Sequence, residues 1–238
     1  MKTYQKNEKY KRDAYASHYD EWFLATKGLL FDLCERQVFA QAVKNNNAHS
    51  IIDIGSGTGR ITEILSSLDQ RAVALDFSWQ SLHMLNRKQL KNCSAVCADI
   101  SFGIPFKDNT FDLAVSCQVL PQLQFKELLV AAREVNRILK PQGLFVFSGY
   151  NLHSWRYKEV FGAGKFDWLR SKQFSSRDIC TMAAHSNFSI VAFRYYKALP
   201  LNYLHSHRWL AVDRVMCTIP WVNKRLSGYT LAVFQKKE

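Results

Sequence analysis

The chain has 238 residues, of which 47% are apolar and 13% aromatic, so it can bury a large core. No uncharged apolar run reaches the roughly 18 residues that a membrane-spanning helix requires, which argues against a membrane-embedded protein. The formal charge of +12 is concentrated at the two ends and suits nucleic acid, anionic lipid, an acidic carrier protein or an anionic substrate equally well.

The N-terminal region, residues 1–49, is predicted to form a helical cap. Its first twelve residues carry five basic side chains against one acid, and no apolar signal-peptide core follows them. We therefore expect a cytoplasmic protein whose basic ends allow peripheral contact with an anionic membrane. The stretch "YASHYDEWFLATKGLLFDLCERQVFAQAV" repeats apolar residues at helical spacing and indicates one or two amphipathic helices.

Short apolar runs then alternate with helical patterns along the chain. The runs predict strands at "SIIDI" (50–54), "RAVALD" (71–76), "SAVCAD" (94–99), "FDLAVSC" (111–117), "GLFVFSG" (143–149), "FSIVAFRYY" (188–196) and "YTLAVFQ" (229–235). Helices are predicted at 59–68, 78–90 and 124–139, and the last should end at "KPQG". This alternation indicates an α/β fold, with a mostly parallel sheet covered by helices on both faces.

Two insertions interrupt the alternation within a single domain, 1–238. Residues 150–187 are rich in aromatics and end in a helix predicted from about residue 176, and residues 197–228 separate the last two strands. Insertions of this length usually carry function, so we expect both to shape a substrate pocket. The aromatic residues available to line it, or to complete the core, are Trp155, Tyr157, Phe161, Phe166, Trp168, Tyr203 and Trp209.

The stretch "SIIDIGSGTGRIT" (50–62) places glycines spaced G-x-G-x-G between a strand and a helix. Such glycines let the backbone approach a ligand and point free N–H groups toward it. The P-loop pattern is absent, and Gly59 comes one residue earlier than the third glycine of the dinucleotide fingerprint. Asp76, which ends the next strand, can accept hydrogen bonds from both ribose hydroxyls. These residues indicate an adenosine-containing ligand and leave NAD and a methyl donor both open.

The third strand and the loop after it, "CADISFGIPFKDNTFDLAV", discriminate between these ligands. Together with "DIGSGTG", "LDFS" and "REVNRILKPQGLFVFS", this segment resembles the class I S-adenosylmethionine-dependent methyltransferases of the small-molecule "type 11" group, which includes the ubiquinone and menaquinone methylases. The resemblance runs from residue 50 to 149. It implies a Rossmann-like sheet of seven strands in the order 3-2-1-4-5-7-6, with strand 7 antiparallel. The family's usual proline-glycine-glycine turn reads "KPQG" here, which affects a turn and not the cofactor site.

The resemblance also implies which residues hold S-adenosylmethionine, whose product would be S-adenosylhomocysteine. Around the methionine part it places Asp53, Gly55, Gly57 and Gly59. Tyr19, from the "YASHYDEWF" segment, would close the site from the N-terminal helix.

The adenosine part is implied to lie against the next strand ends. Asp76 would hold the ribose, and Phe77 would flank the adenine. Asp99 would meet the adenine amino group, with the backbone of Ile100 beside it. Cys117, at the end of the fourth strand, would lie near the sulfonium.

The implied activity is methyl transfer by in-line displacement to a small-molecule or lipid-like acceptor, in which the protein aligns the reactants and excludes water. The catalytic residue is unknown, and His153, just after the fifth strand, is the first candidate for a base. Cys117 lacks the proline-cysteine context of RNA cytosine methylases, which argues against a nucleophilic role. The six cysteines lack C-x-x-C pairs, and no metal site is expected. The alternatives are an RNA or protein methyltransferase that uses the basic surface, and a non-catalytic cofactor-binding regulatory subunit.

Overall fold

A computed structural model describes residues 18–21, 23, 26–44, 46, 48–67, 70–151, 153–155, 176–198 and 207–238. Residues 18–21 and 23 are helical. The strands are β1 (Ser50–Ile54), β2 (Arg71–Asp76), β3 (Cys93–Cys97), β4 (Phe111–Ser116), β5 (Leu139–Tyr150), β6 (Phe188–Tyr196) and β7 (Tyr229–Lys236). The helices are α1 (Thr26–Lys44), α2 (Thr62–Ser66), α3 (Trp79–Arg87), α4 (Phe125–Ile138), α5 (Ser176–His185), α6 (His207–Met216) and α7 (Pro220–Leu226), with a 3-10 turn at Leu120–Gln122.

The strands form one sheet in the order β3-β2-β1-β4-β5-β7-β6, which confirms the predicted topology. Strand β7 runs antiparallel to both of its neighbours, and the pairs from β3 to β5 are parallel. Strand β6 therefore points the same way as β1 to β5. The carboxyl ends of six strands and the start of β7 consequently meet at one edge of the sheet, where ligands bind in folds of this kind.

Both faces of the sheet are buried along the central strands β1, β2 and β4, as continuous apolar strands require. Along β1 the side chains alternate between two separate apolar clusters. Ile51 packs in the cluster that contains Phe39 of α1, whereas Ile52 packs in the cluster that contains Val135 of α4. The alternation fixes the register of β1, because a slip of one residue would exchange its two faces.

The helix after β1 starts later than predicted, at Thr62 and not at residue 59. Residues 55, 57 and 59 all have positive φ, which no α-helix accommodates. Strand β3 ends at Cys97, so Asp99 lies in the loop that follows it and not in the strand.

Helix α4 ends at Ile138, just before "KPQG", as predicted, but β5 begins at Leu139 and not at residue 143, so "KPQG" belongs to the strand. Gln142 adopts a left-handed φ of +64°, at the first glycine position of the family's usual turn. A side chain at Gly143 would come within 2.8 Å of the Lys140 carbonyl oxygen, so close packing requires that glycine.

The two insertions are described in part. Helix α5 begins at Ser176, as predicted, and α6 and α7 occupy the segment between β6 and β7. The expected pocket residues Tyr157, Phe161, Phe166, Trp168 and Tyr203 lie outside the described residues, as does the side chain of Trp209. Among the described helices, none is long and apolar enough to span a bilayer.

Candidate functional site

The glycine turn after β1 contains two closely packed glycines and one open one. A Cβ on Gly55 would lie 2.2 Å from the Val119 side chain, and a Cβ on Gly59 would lie 2.8 Å from Leu85. At Gly57, by contrast, a Cβ would meet no atom of a described residue within 4 Å. The outer glycines therefore serve packing, and the middle one faces a space that a ligand can enter.

Asp76 lies directly against this turn. Its Oδ2 accepts a hydrogen bond from the Gly57 N–H at 2.8 Å, and its Oδ1 accepts one from the Ser78 N–H at 2.8 Å. Burial raises the pKa of Asp76 to about 6, despite the backbone hydrogen bonds that act to lower it. Each carboxylate oxygen has a second lone pair, so the residue can hold the turn and still accept a ligand hydroxyl.

Asp53 lies behind the turn. It is buried, and its Oδ2 accepts a hydrogen bond of 2.6 Å from the Thr62 hydroxyl. Burial raises the pKa of Asp53 to about 7, and the nearby Asp76 carboxylate adds to the rise. The contact with Thr62 joins β1 to α2, so Asp53 supports the shape of the turn.

The ends of β2 and β3 lie side by side. The Ala98 N–H donates to the Asp76 carbonyl at 3.0 Å, and Asp99 accepts a hydrogen bond of 2.9 Å from the Ser101 N–H. Ile100 is buried in the core, whereas Phe77 is partly exposed. The structure thus brings the residues expected around the adenosine to one end of the two strands.

The end of β4 contributes a strained segment. Gln118 has a φ of +60°, and its N–H donates to the Ser148 hydroxyl at 3.1 Å. Cys117 Sγ lies 3.5 Å from Arg60 Nη2 and 3.7 Å from Ser148 Oγ. Burial raises the pKa of the Cys117 thiol, and the Glu35 carboxylate adds to the rise. A thiol that stays protonated is a poor nucleophile.

Arg60 is the most prominent site residue that sequence reasoning missed. Its side chain is 7% exposed and pairs with Asp32 at 2.6 Å and with Glu35 at 2.5 Å. The guanidinium also lies 4.3 Å from the centre of the Phe23 ring, which in turn contacts the Tyr19 ring at 4.9 Å. Arg60 therefore attaches the glycine turn to the N-terminal helices. The sequence signal that could have indicated this pairing was the i, i+3 spacing of two acids on α1.

A second set of contacts fastens the same helices at the rim of the turn. Asp20 accepts a hydrogen bond of 2.5 Å from the Thr58 hydroxyl and lies 3.3 Å from Lys88. Glu63 pairs with Lys88 at 2.8 Å and with Arg36 at 2.6 Å. The N-terminal region thus contacts the turn both inside the protein and at its rim.

Another group that the sequence did not indicate surrounds Glu35. Burial alone would raise the pKa of Glu35, but Lys197 and Arg60 hold it below its usual value. Glu35 Oε1 lies 3.2 Å from the Tyr196 hydroxyl, 3.5 Å from Gln118 Nε2 and 3.6 Å from Lys197 Nζ. Residues from α1, from the segment after β4 and from the end of β6 therefore meet at one carboxylate.

His153, the predicted candidate base, is exposed. Its backbone N–H donates to Asn151 Oδ1 at 3.0 Å, which places it in the turn that follows β5. Two residues on, the Trp155 N–H donates to the Arg225 carbonyl at 2.8 Å. The segment is thus attached to α7, and a catalytic role of His153 stays a prediction.

The arrangement around the turn fits S-adenosylmethionine. Open space lies above Gly57, and Ser56 Oγ and Arg60 Nε are buried without a hydrogen-bond partner among the residues that the structure describes. A ligand with a hydroxyl-bearing ribose and an amino acid end would occupy that space and use polar atoms of this kind.

Comparison with known proteins agrees with this geometry. The profile of the methyltransferase domain family matches residues 52–147. An uncharacterized protein from Methanocaldococcus jannaschii is 30% identical over 186 residues, which cover 77% of this chain and 68% of that protein. A demethylmenaquinone methyltransferase from Corynebacterium urealyticum is 33% identical over 101 residues, 42% of this chain and 41% of the relative.

Solved structures give the same fold. A Thermotoga maritima S-adenosylmethionine-dependent methyltransferase, described as a possible histamine N-methyltransferase, has a TM-score of 0.69 at 17% identity and covers 94% of this chain and 98% of its own. With the sheet order, the glycine turn and the family match in agreement, the chain belongs to the S-adenosylmethionine-dependent methyltransferases.

Proposed function

We propose that the protein transfers the methyl group of S-adenosylmethionine to a small-molecule or lipid-like acceptor. The observation that carries the proposal is the open space at Gly57, beside the Asp76 carboxylate, at the carboxyl edge of a methyltransferase sheet. The name of one relative, demethylmenaquinone methyltransferase, supports a small acceptor, although the alignment covers less than half of each chain.

In this proposal, the adenosine part lies at the ends of β2 and β3. Asp76 accepts hydrogen bonds from the ribose hydroxyls with the lone pairs that Gly57 and Ser78 leave available. Phe77 flanks the adenine. Asp99 and the backbone of Ile100 contact its amino group.

The methionine part lies over Gly55, Gly57 and Gly59, with Asp53 supporting the turn from behind. Tyr19, which contacts the Phe23 ring beside Arg60, closes the site. When bound, S-adenosylmethionine supplies a methyl group on a positively charged sulfur, so a protein of this kind needs chiefly to align the acceptor and exclude water. We place Cys117 beside that sulfur as a neutral thiol.

The first test is calorimetric binding of S-adenosylmethionine, S-adenosylhomocysteine and NAD. We expect both sulfur ligands to bind, and we expect NAD not to bind. Asp76→Asn should weaken the binding of S-adenosylmethionine at least about tenfold, because a hydrogen bond from a ligand hydroxyl to a carboxylate contributes about 1.5 to 3 kcal/mol. Asp108→Asn, at an exposed carboxylate, is the matched control. Binding of NAD in place of the sulfur ligands would end the proposal.

A second test looks for turnover. The purified protein is incubated with S-adenosylmethionine and fractionated cell extract, and release of S-adenosylhomocysteine is measured. Release that depends on a low-molecular-weight or lipid fraction supports the proposal. Tight cofactor binding without release from any fraction would favour a non-catalytic regulatory subunit.

We further propose that α6 and α7 contact an anionic membrane. Arg208, Ala211, Val212 and Val215 form a stripe at i, i+3, i+4 and i+7 along α6, and all four are exposed. Asp213, the acidic residue of this helix, is instead buried. An outer stripe of three aliphatic residues and one arginine, with the acid on the inner face, differs from a water-facing helix, whose outer face is mainly polar.

The neighbouring residues extend this surface. Trp221 is 69% exposed, Ile219 is exposed beside it, and Lys224 and Arg225 follow on the same helix. The Arg225 guanidinium lies 5.7 Å from the centre of the exposed Trp155 ring. Tryptophan and valine interleaved with arginine and lysine suit the boundary between lipid headgroups and acyl chains, whereas nucleic acid would leave the aliphatic side chains in water.

Co-sedimentation with vesicles tests the membrane contact. Binding is expected to phosphatidylglycerol vesicles and not to phosphatidylcholine vesicles, and the double variant V215S/W221A should lose most of it. Trp79→Ala, which removes a tryptophan that is 63% exposed beside β2, should bind like the parent protein. Equal binding to both vesicle types would contradict the proposal.

The competing activity, RNA or protein methylation, is supported by charge alone. It requires salt-dependent binding to tRNA or ribosomal RNA, or to a protein substrate, by the basic surface. Filter binding to tRNA over a series of salt concentrations separates the RNA alternative from the vesicle result.

A further inference from the structure

Lys197 occupies an unusual position at the edge of the sheet. It directly follows β6, so it lies at the same edge as the glycine turn and the end of β4. Its side chain is 2% exposed, and its backbone has a φ of +60°, a conformation that L residues rarely adopt. Gln118 shares that left-handed backbone, and both residues contact Glu35. Strain of this kind concentrates at functional sites.

The side chain of Lys197 contacts a carboxylate and two aromatic rings. Its Nζ lies 3.6 Å from Glu35 Oε1, 4.4 Å from the centre of the Tyr229 ring and 5.5 Å from that of Tyr196. Glu35 is itself fixed by Arg60 at 2.5 Å. The ammonium group is therefore connected to the cofactor turn through one shared carboxylate.

The titratable groups that face Lys197 come from several elements. Its side chain interacts with Glu35 and Cys34 of α1, with Arg60 of the turn and with Cys117, which follows β4. Its backbone contacts Cys217, whose thiol lies 3.9 Å from Asp213 of α6. Burial lowers the pKa of Lys197 to about 8, although the Glu35 carboxylate acts to raise it. A measurable fraction of the side chain is therefore a neutral amine near neutral pH.

We propose that Lys197 accepts the proton of the methyl acceptor, with Glu35 as the residue that positions it. The inference rests on the proposed methyl transfer. During the step, the acceptor's O–H or N–H bond breaks and its proton goes to the Lys197 amine. The freed electron pair forms the bond to the methyl carbon, and the electrons of the carbon–sulfur bond leave with the sulfur as a neutral thioether.

Glu35 then faces an ammonium in place of an amine, which it stabilises at 3.6 Å. Release of the proton to solvent restores the amine for the next turnover. If Lys197 served only to join α1 to β6, it would not need to lie near the transferred methyl group. Whether Lys197 lies near that group therefore separates a structural role from the proposed one, and it can be measured.

The test compares S-adenosylmethionine with S-adenosylhomocysteine, which lacks the positive charge on sulfur. The protein is labelled with [13Cε]lysine, and the Lys197 signal, assigned with Lys197→Arg, is titrated by NMR in each complex. A cation near Lys197 disfavours its ammonium form, so the pKa of Lys197 should be lower with S-adenosylmethionine by about half a unit or more.

Lys236 provides the control within the same spectra. It lies at the opposite edge of the sheet, where its Nζ donates to Asn109 Oδ1 at 2.9 Å, and its pKa should be equal in both complexes. If Lys197→Arg does not fold, Glu35→Gln assigns the signal, because loss of that carboxylate should lower the pKa of Lys197 and not that of Lys236.

The outcomes separate the two proposals. If both ligands bind and the pKa of Lys197 is the same in both complexes, Lys197 is a structural residue and the inference fails while the proposed function stands. If neither ligand binds, the proposed function fails and the inference fails with it.

Discussion

Arg60 Nη2 lies 2.5 Å from Glu35 Oε2, so the residue that follows the glycine turn is paired with a carboxylate of helix α1. Both side chains are buried, and Asp32 completes the set at 2.6 Å from Arg60 Nη1. Burial opposes the charge on Arg60, but Glu35 and Asp32 raise its pKa well above the usual value. The N-terminal helices are thus joined electrostatically to the turn.

Removing one member of this buried set should be costly. Arg60→Met removes the buried cation that Asp32 and Glu35 share, and we expect a loss of about 3 kcal/mol in the free energy of unfolding. Urea unfolding measures it. Arg36→Met is the control, because Arg36 pairs with Asp32 and Glu63 nearer the surface and should cost below about 1 kcal/mol. Equal losses of stability in the two variants would contradict the assignment of Arg60 as the residue that joins the N-terminal helices to the glycine turn.

The three glycines of the turn should respond differently to alanine. Gly55→Ala drives a Cβ to 2.2 Å from Val119 and should reduce the yield of folded protein. Gly57→Ala has space for the Cβ, so it should cost only about 1 kcal/mol of stability for its positive φ. It should nevertheless weaken S-adenosylmethionine binding at least about tenfold by filling the space that the ligand needs. Unfolding curves and calorimetry separate the two effects, and undiminished binding by Gly57→Ala would contradict the proposed site.

The stability of the protein should depend on Asp53 and Asp76 in the weakly acidic range. Burial raises their pKa values to about 7 and about 6, from an unfolded value near 4. Between about pH 4 and pH 7 the folded state therefore binds more protons than the unfolded state. The contribution of these two groups to the free energy of unfolding should fall as pH rises through that range and stay constant above it. Thermal unfolding of Asp53→Asn, compared with the parent protein, measures this contribution.

Ligand binding should have the opposite dependence on pH. A sulfonium cation stabilises the ionised carboxylates, so the affinity for S-adenosylmethionine should rise from about pH 5.5 to pH 7.5, and binding should release protons. Calorimetry in buffers with different ionisation enthalpies measures that release. The neutral side chain of Asp76→Asn should reduce it, and a parent protein that releases no protons would contradict the prediction.

The left-handed residue in β5 offers a stabilising substitution. Gln142 has a φ of +64°, and glycine tolerates that conformation without a steric penalty. Gln142→Gly should raise the free energy of unfolding by roughly 0.5 kcal/mol. Glycine removes the strain of the folded state, and this gain exceeds the cost of ordering a more flexible unfolded chain. Gln122→Gly, in the 3-10 turn, should lower it. If both variants were destabilised alike, strain at Gln142 would be refuted.

Much of the fold follows from local patterns. Strands β1, β2 and β6 have the bounds predicted from their apolar runs, and for the central strands β1 and β2 the reason is that strands covered on both faces need nearly continuous apolar sequence. The glycine turn and Asp76 were also predictable, since both lie where a strand ends and their chemistry depends on adjacent backbone. The start of α2 was less predictable, because the positive φ of Gly59 delays the helix, and β5 begins four residues before the apolar run that predicted it.

The sequence by itself therefore determined the sheet, the cofactor turn and the family. Only the tertiary structure decided which charged residues meet inside. Arg60 and Glu35 are 25 positions apart, and Tyr196 and Glu35 are 161 apart, so no local pattern links them. A buried Lys197 looks like any surface lysine until the sheet order brings the end of β6 beside α1 and β4. Burial then gives these charges their strength, because water no longer screens them.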